Sequence, residues 1–206
     1  LRASAQFQVD PQTYQATVYS EINDATILNE NLEGSLNFTT TAKGDFKMAQ
    51  HSGSTDLLAL GFHPPNFPQV VTNGTITWNW PNEIAVEHLK IMTPEGVAET
   101  KLNWSNDTLG VDYFKVFEKD EELLTIKAKF PAPLSTHSLD DILESEKEIA
   151  LKIKSKPLTL GRLSSFFPVP AELSGILHAE NFDLSGTFTN PLLNGTISLK
   201  GFKSTT

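Results

Sequence analysis

Five histidines, His51, His63, His88, His137 and His178, are the side chains best suited to moving protons or holding a metal near neutral pH. None stands in an HxxxH or HExxH spacing, so none carries a metal-binding signature. They read as scattered, solvent-facing groups. Serines are plentiful, but there is no GxSxG elbow, and Ser164-Ser165 sits in an apolar helical stretch rather than at a strand-to-helix turn. With zero cysteines there is no thiolate nucleophile, no Cys-ligated zinc or iron–sulfur cluster and no disulfide framework. The acidic cluster Asp140, Asp141, Glu144, Glu146 and Glu148 lacks the D-x-D-x-D-G calcium loop and fits the positive end of a helix in water. Phosphate-cradling loops of the GxxxxGK[ST] or GxGxxG type are missing too. The expectation is a protein without catalytic chemistry, metal or cofactor.

Binding chemistry has more to work with. Trp78 and Trp80 lie two apart on one strand and so share a face, where they either stack a sugar or fill a β core; Trp104 poses the same choice. Sequons at Asn37, Asn73, Asn103, Asn106 and Asn194 are also ordinary turn-and-strand composition. Sixteen Lys and Arg against 25 Asp and Glu leave a formal charge of -9, which opposes a nucleic-acid partner. No stretch approaches the ~18 consecutive apolar residues of a membrane span. The chain begins at Leu1 with neither an initiator Met nor a signal peptide, and is expected to be an excised piece of a longer protein.

The elements that must carry any binding surface are strands. Leu124, Ile126, Ala128 and Phe130 alternate with Thr125, Lys127 and Lys129, and Ile149, Leu151 and Ile153 alternate with Ala150, Lys152 and Lys154 until Lys156-Pro157. Similar alternation predicts strands over Ala5–Val9, Gln15–Ser20, Ala25–Asn29, Ser35–Thr40, Asp45–Ala49, Thr55–Leu60, Gly74–Trp80, Ile84–Ile91, Val97–Trp104, Leu109–Phe117, Leu173–Ala179, Asp183–Thr189 and Leu193–Lys200. Short Gly, Asn, Asp and Pro punctuation between them permits antiparallel neighbours only, so the sheet is expected to be a long meander. Asn73-Gly74 and Asn194-Gly195 each read as a hairpin turn leading into an alternating strand. Ser138 and Asp141 head a short helix over 138–148, and Leu160, Leu163, Phe166 and Phe167 give a second over 159–167, placed to plug or cap one end of a sheet. Nothing in the composition separates two domains, so 1–206 is taken as a single β-rich unit.

A meander with one apolar face must hide it against a second sheet or helices, or curl around its own concave surface. The helices are too few. Periodicity alone leaves a closed sandwich and an open curl undecided.

The C-terminal half carries a further pattern. Leu173-Ser174-Gly175-Ile176-Leu177 is followed by Leu184-Ser185-Gly186-Thr187-Phe188-Thr189-Asn190-Pro191 and Leu193-Asn194-Gly195-Thr196-Ile197-Ser198-Leu199. From Leu123 to Lys200 this order resembles the repeat grammar of the TamB family and its AsmA-like relatives. The resemblance implies a mainly β chain, a long antiparallel sheet curled into a U-shaped apolar trough. It further implies a non-enzymatic bridge segment that carries phospholipid acyl chains through the periplasm between inner and outer membranes, with a role in outer-membrane biogenesis. The full-length protein would be anchored in the inner membrane outside this fragment, and an outer-membrane assembly protein is the implied protein partner. The expected groove lining is Leu124, Ile126, Ala128, Ile149, Leu151, Ile153, Leu177, Leu184, Phe188, Ile197 and Leu199. The rival is a closed β-sandwich module of a cell-surface adhesin or carbohydrate-binding protein, which needs the same alternation around a dry interior.

Overall fold

A computed structural model of the chain describes residues 2–10, 12–27, 35–48, 50–62, 70–133, 143, 146–163, 166 and 172–205. It is mainly β and antiparallel, and the described strands follow one another in chain order. The chain divides into two compact units, Leu1–Pro94 and Glu95–Thr206. The first holds β1 (Arg2–Val9), β2 (Thr13–Ile22), β3 (Leu36–Asp45), β4 (Gln50–Phe62), β5 (Val70–Trp80) and β6 (Glu83–Thr93). The second holds β7 (Gly96–Ser105), β8 (Thr108–Glu118), β9 (Glu121–Pro131), β10 (Ala150–Thr159), the single helical turn α1 (Leu160–Leu163), β11 (Glu172–Gly186) and β12 (Pro191–Thr205).

Tight turns impose this order. Asn106 and Asp107 have φ of 49° and 56°, and Lys119 and Asp120 have 47° and 67°. Two consecutive left-handed residues make the turn whose twist matches that of paired strands, so β7–β8 and β8–β9 close as two-residue hairpins.

In the first unit, cross-strand register sorts the side chains into two faces. Phe7, Ala16, Ala42, Gly53 and Trp78 form one row, and Val9, Tyr14, Gly44, His51 and Trp80 form the next row on the same face. Gln8, Gln15, Lys43, Ser52 and Asn79 stand on the other face. Small residues in the middle strands make room for rings from their neighbours. A Cβ on Gly53 would lie 2.5 Å from Trp78 Cζ2, and one on Gly44 would lie 2.5 Å from both Tyr14 Cε1 and His51 Nδ1. Tyr14 Oη and His51 Nδ1 are hydrogen-bonded at 2.9 Å above Gly44. Trp78 and Trp80 do share a face, with Trp78 resting on Gly53 and Trp80 exposed at the strand end.

Several local expectations are overturned, each by an identifiable group. Ala25–Ile27 is a 3-10 turn rather than a strand. Asp24 Oδ1 accepts from Thr26 N at 3.0 Å and from Thr26 Oγ1 at 2.6 Å, bending the chain locally. Residues 46–48 form a turn for the same reason: Asp45 Oδ1 accepts from Lys47 N at 2.7 Å and Met48 N at 3.0 Å. Neither Asn-Gly pair makes a hairpin, since both lie inside strands, Gly74 in β5 and Gly195 in β12. A Cβ on Gly74 would lie 2.9 Å from Leu89 Cδ1, and Gly195 has φ of 90° where β11 bulges around Asn181. Both glycines thus serve close approach within a sheet. Pro157 does not end its strand either. β10 continues to Thr159 because its register against β11 shifts between Ser155 and Leu158, and a bulge tolerates the missing amide donor. The expected strands 173–179 and 183–189 are one strand, β11, that ends at Gly186. Of the expected helix at 159–167, α1 is the described turn, and the expected helix over 138–148 lies largely outside the described residues.

Candidate functional site

In the second unit, apolar residues from all six strands fall into register on one face. Leu102 on β7 stands opposite Val111 on β8, then Ala128 on β9, Leu151 on β10, Leu184 on β11 and Leu193 on β12. The adjacent row holds Thr100, Phe114, Ile126, Ile153 and Phe182. Next to that come Ala98, Val116, Leu124, Ser155, Ala179 and Ile197. Beyond it Leu158, Leu177 and Leu199 are aligned on β10 to β12. Five steps between six strands at about 4.8 Å give each full row a span of roughly 24 Å.

Burial is graded over this face. In the Ala98–Val116–Leu124 row, Ala98 and Val116 are fully buried and Leu124 is 2% exposed, and Ala179 and Leu158 are buried with them. Two rows away, Leu102, Val111, Ala128, Leu151 and Leu184 are all half-buried, and Leu193 on the edge strand is 68% exposed. Inward of the edge strand β12, where Ile197 and Leu199 are exposed, solvent therefore reaches the aliphatic side chains of the Leu102 row and is kept from those around Val116 and Leu124.

The buried part is tied down by the segment after β10. Arg162 of α1 donates from Nη1 to Glu118 Oε2 at 2.6 Å and from Nη2 to Glu118 Oε1 at 2.9 Å, a two-pronged pair with the end of β8. Phe166 is buried, and its Cζ lies 3.7 Å from where a Cβ on Gly96 would stand, so its ring packs at the start of β7. The segment thus reaches from β10 to the β7–β8 end, in the capping role its spacing suggests.

Two hydroxyls interrupt the apolar face, and both are consumed by backbone irregularities. Ser155 Oγ accepts from Ala179 N at 2.8 Å at the β10–β11 register shift. Thr100 Oγ1 donates to Tyr113 O at 3.0 Å beside the bulge between Val111 and Phe114. Each satisfies a backbone group that the ladder leaves over. Trp104, in the last row with Leu109 and Phe130, donates from Nε1 to Ala132 O at 2.5 Å.

The opposite face is polar and rich in lysine. Lys127 stands directly opposite Lys152, whose Nζ lies 3.1 Å from Asp183 Oδ2. Lys115 Nζ donates to Glu122 Oε2 at 2.6 Å, and Lys156 pairs with Glu121. The Lys115 bond, reinforced by one from Thr125, holds the Glu122 carboxyl below its usual pKa, and the same bond raises that of Lys115.

The expected lining residues are largely brought together. Leu124, Ile126, Ala128, Leu151, Ile153, Leu177, Leu184, Ile197 and Leu199 all stand on the one face, with Ile197 and Leu199 exposed on β12. Ile149 is buried one residue before β10, its amide donating to Gly186 O at 2.8 Å. Phe188 does not join them as a strand residue, because it lies in the turn between β11 and β12, where Thr187 Oγ1 accepts from Asn190 N at 3.1 Å. Sequence reasoning missed Phe182, Leu158, Val111 and Phe114. A bulge precedes or follows each and shifts the parity on which alternation depends.

Among the described residues, no three His, Asp or Glu side chains come together as a metal site, and no helix is long and apolar enough to cross a membrane. His63, His137, Ser164, Ser165, Asp140, Asp141 and Glu144 lie outside the described residues. Comparison with family models, curated proteins and solved structures gives no match.

Proposed function

We propose that the second unit binds acyl chains along the half-buried rows of its apolar face, as one segment of a non-enzymatic lipid-conducting bridge of the kind the TamB-like pattern implies. The observation that carries this reading is the Leu102–Val111–Ala128–Leu151–Leu184–Leu193 row, aliphatic on every strand and half-buried or exposed throughout. Its span of roughly 24 Å suits a long fatty acyl chain laid across the strands. Each methylene taken from water contributes about 0.8 kcal/mol. Six similar aliphatic side chains offer a chain nearly equal energies, so it slides rather than locks. Curling of the sheet about this face into a trough would shield the chain on both sides. Phospholipid is the proposed cargo, the periplasm the proposed location, and an outer-membrane assembly protein the proposed partner.

Native mass spectrometry of the purified chain tests this. The reading expects phospholipid or fatty acid adducts that survive desalting, and photo-crosslinking from a probe at Leu151 or Ala128 to an acyl chain. A chain that carries no lipid and gives no crosslink at either position, while a probe at Leu124 behaves identically, would refute it.

A further inference from the structure

At one end of the first unit three turns come together: β1–β2, β3–β4 and β5–β6. Register aligns the residues beside them, Val9, Tyr14, Gly44, His51 and Trp80, in a single row. Connecting turns are ordinarily polar. Here the β3–β4 turn instead presents Phe46, Lys47 and Met48, with Phe46 58% and Met48 64% exposed, and Val9 beside it is 67% exposed. Trp80 is exposed in the same row.

This tip is held rigidly in that arrangement. Asp45 Oδ1 takes the amides of Lys47 and Met48, and Phe46 N donates to Gln12 O at 2.9 Å, which ties the β3–β4 turn to the β1–β2 turn. The Phe46 ring lies 5.2 Å from that of Tyr14, which in turn stacks on His51 at 5.8 Å. The turn's backbone is thereby fixed at Phe46, Lys47 and Met48, and the Phe46 and Met48 side chains remain mostly exposed. They stand on hairpin tips rather than in a groove, which suits a soft, penetrable partner.

The charge pattern points the same way. Lys43 and Lys47 flank the apolar tip and have no ion pair among the described residues, while the Asp45 carboxylate is occupied by backbone amides. Exposed aliphatic and aromatic tips, an amphipathic Trp at their base and free ammonium groups behind them match the layering of a bilayer surface: hydrocarbon, interface, phosphate. Asp10 and Glu83 also face this end, so the attraction to anionic lipid is modest and insertion of the apolar tips contributes most.

We infer that this tip of the first unit docks into the headgroup region of a phospholipid bilayer, with Phe46 and Met48 inserted and Lys43 and Lys47 at the phosphates. The inference stands on the first unit alone and does not depend on acyl binding by the second.

The test uses the whole chain with vesicles of phosphatidylcholine and phosphatidylglycerol, and Trp80 as reporter in a W78F/W104F background. Brominated phosphatidylcholine is expected to quench Trp80, and F46S/M48S to lower vesicle partitioning by about tenfold or more with an unchanged circular dichroism spectrum. K43E/K47E is expected to weaken partitioning onto phosphatidylglycerol vesicles more than onto pure phosphatidylcholine. Leu151→Arg, in the acyl-binding face of the other unit, is expected to lower partitioning far less than F46S/M48S does. Absence of Trp80 quenching would overturn the inference even if F46S/M48S did not fold. So would partitioning that F46S/M48S spares and Leu151→Arg abolishes, or a patch that proves instead to hold two copies of the chain together.

Discussion

Leu151→Arg distinguishes an accessible apolar face from a sealed one. Leu151 is half-buried between Ala128 and Leu184, and Lys152 and Lys154 beside it point to the opposite face. Full burial of a leucine contributes about 1.5–3 kcal/mol, so a half-buried one contributes roughly 1 kcal/mol. An arginine placed there keeps its stem on the face and sends its guanidinium to water, which limits the loss to about that amount. Leu124→Ala is the internal standard, since Leu124 is almost fully enclosed and its truncation is expected to cost about 2–5 kcal/mol. Urea unfolding followed through Trp104, in a W78F/W80F background, gives both values for the second unit. Binding of a fluorescent fatty acid gives the other half of the contrast. If the arginine displaces three methylenes of the ligand, the loss is about 2.4 kcal/mol, roughly fiftyfold in affinity. The reasoning fails if Leu151→Arg destabilises as much as Leu124→Ala or more, because a charge that finds no water costs about 3–5 kcal/mol and betrays a covered face.

Two further outcomes follow from single contacts. Ser155→Ala leaves the buried Ala179 amide without its 2.8 Å acceptor, and is expected to cost about 1–3 kcal/mol and to raise hydrogen exchange at Ala179 selectively; unaltered exchange there would show that another group takes the amide. The Glu122 carboxyl is held below its usual pKa chiefly by Lys115, so its contribution is present above the unfolded carboxylate value near about 4.3 and is lost as pH falls through the lower folded value. Urea midpoints of the native chain and Glu122→Gln should therefore differ at pH 7 and converge in acid once the folded carboxylate is protonated, and a difference that persists there would refute this account.

Strands whose alternation is unbroken were legible from residue types alone. In β9, Leu124, Ile126 and Ala128 fall on one face and Thr125 and Lys127 on the other, and β10 pairs with it in the register that keeps Leu151 and Ile153 on the same side. Meander order was legible as well, because turns such as Asn106-Asp107 are too short for any other connection. What escaped was controlled by one carboxylate or one inserted residue. Asp24 and Asp45 each satisfy nearby donors and convert an alternating stretch into a turn, an effect on which period-two counting is silent. Asn181, at φ of 50°, marks the β11 bulge that brings Phe182 onto the apolar face, where strict alternation from Leu177 and Ala179 would put it on the other. Phe188 shows the converse: hydrophobic and in phase with Leu184, it is carried out of the strand by the Thr187 hydroxyl.

The two units use the same alternation to different ends. On the apolar face of the first, Ala16, Ala42, Gly44 and Gly53 lie beneath a few large rings, so its relief is uneven and its grease is concentrated in Trp78, Tyr14 and the exposed tip. The second unit spreads branched aliphatic side chains over all six strands, with its two hydroxyls neutralised by bulges and its lysines turned to the opposite face. Lys127 against Lys152 is a like-charge pair that costs stability, offset by Asp183. That arrangement keeps one face wet and opposed to association, and confines apolar binding to the other. A flexible chain of methylenes gains most from an even aliphatic surface, because no single ring or polar group fixes its position. By that criterion the second unit is the one we propose to hold a sliding acyl chain, and the first unit's exposed tip is the one we propose to dock on a membrane surface.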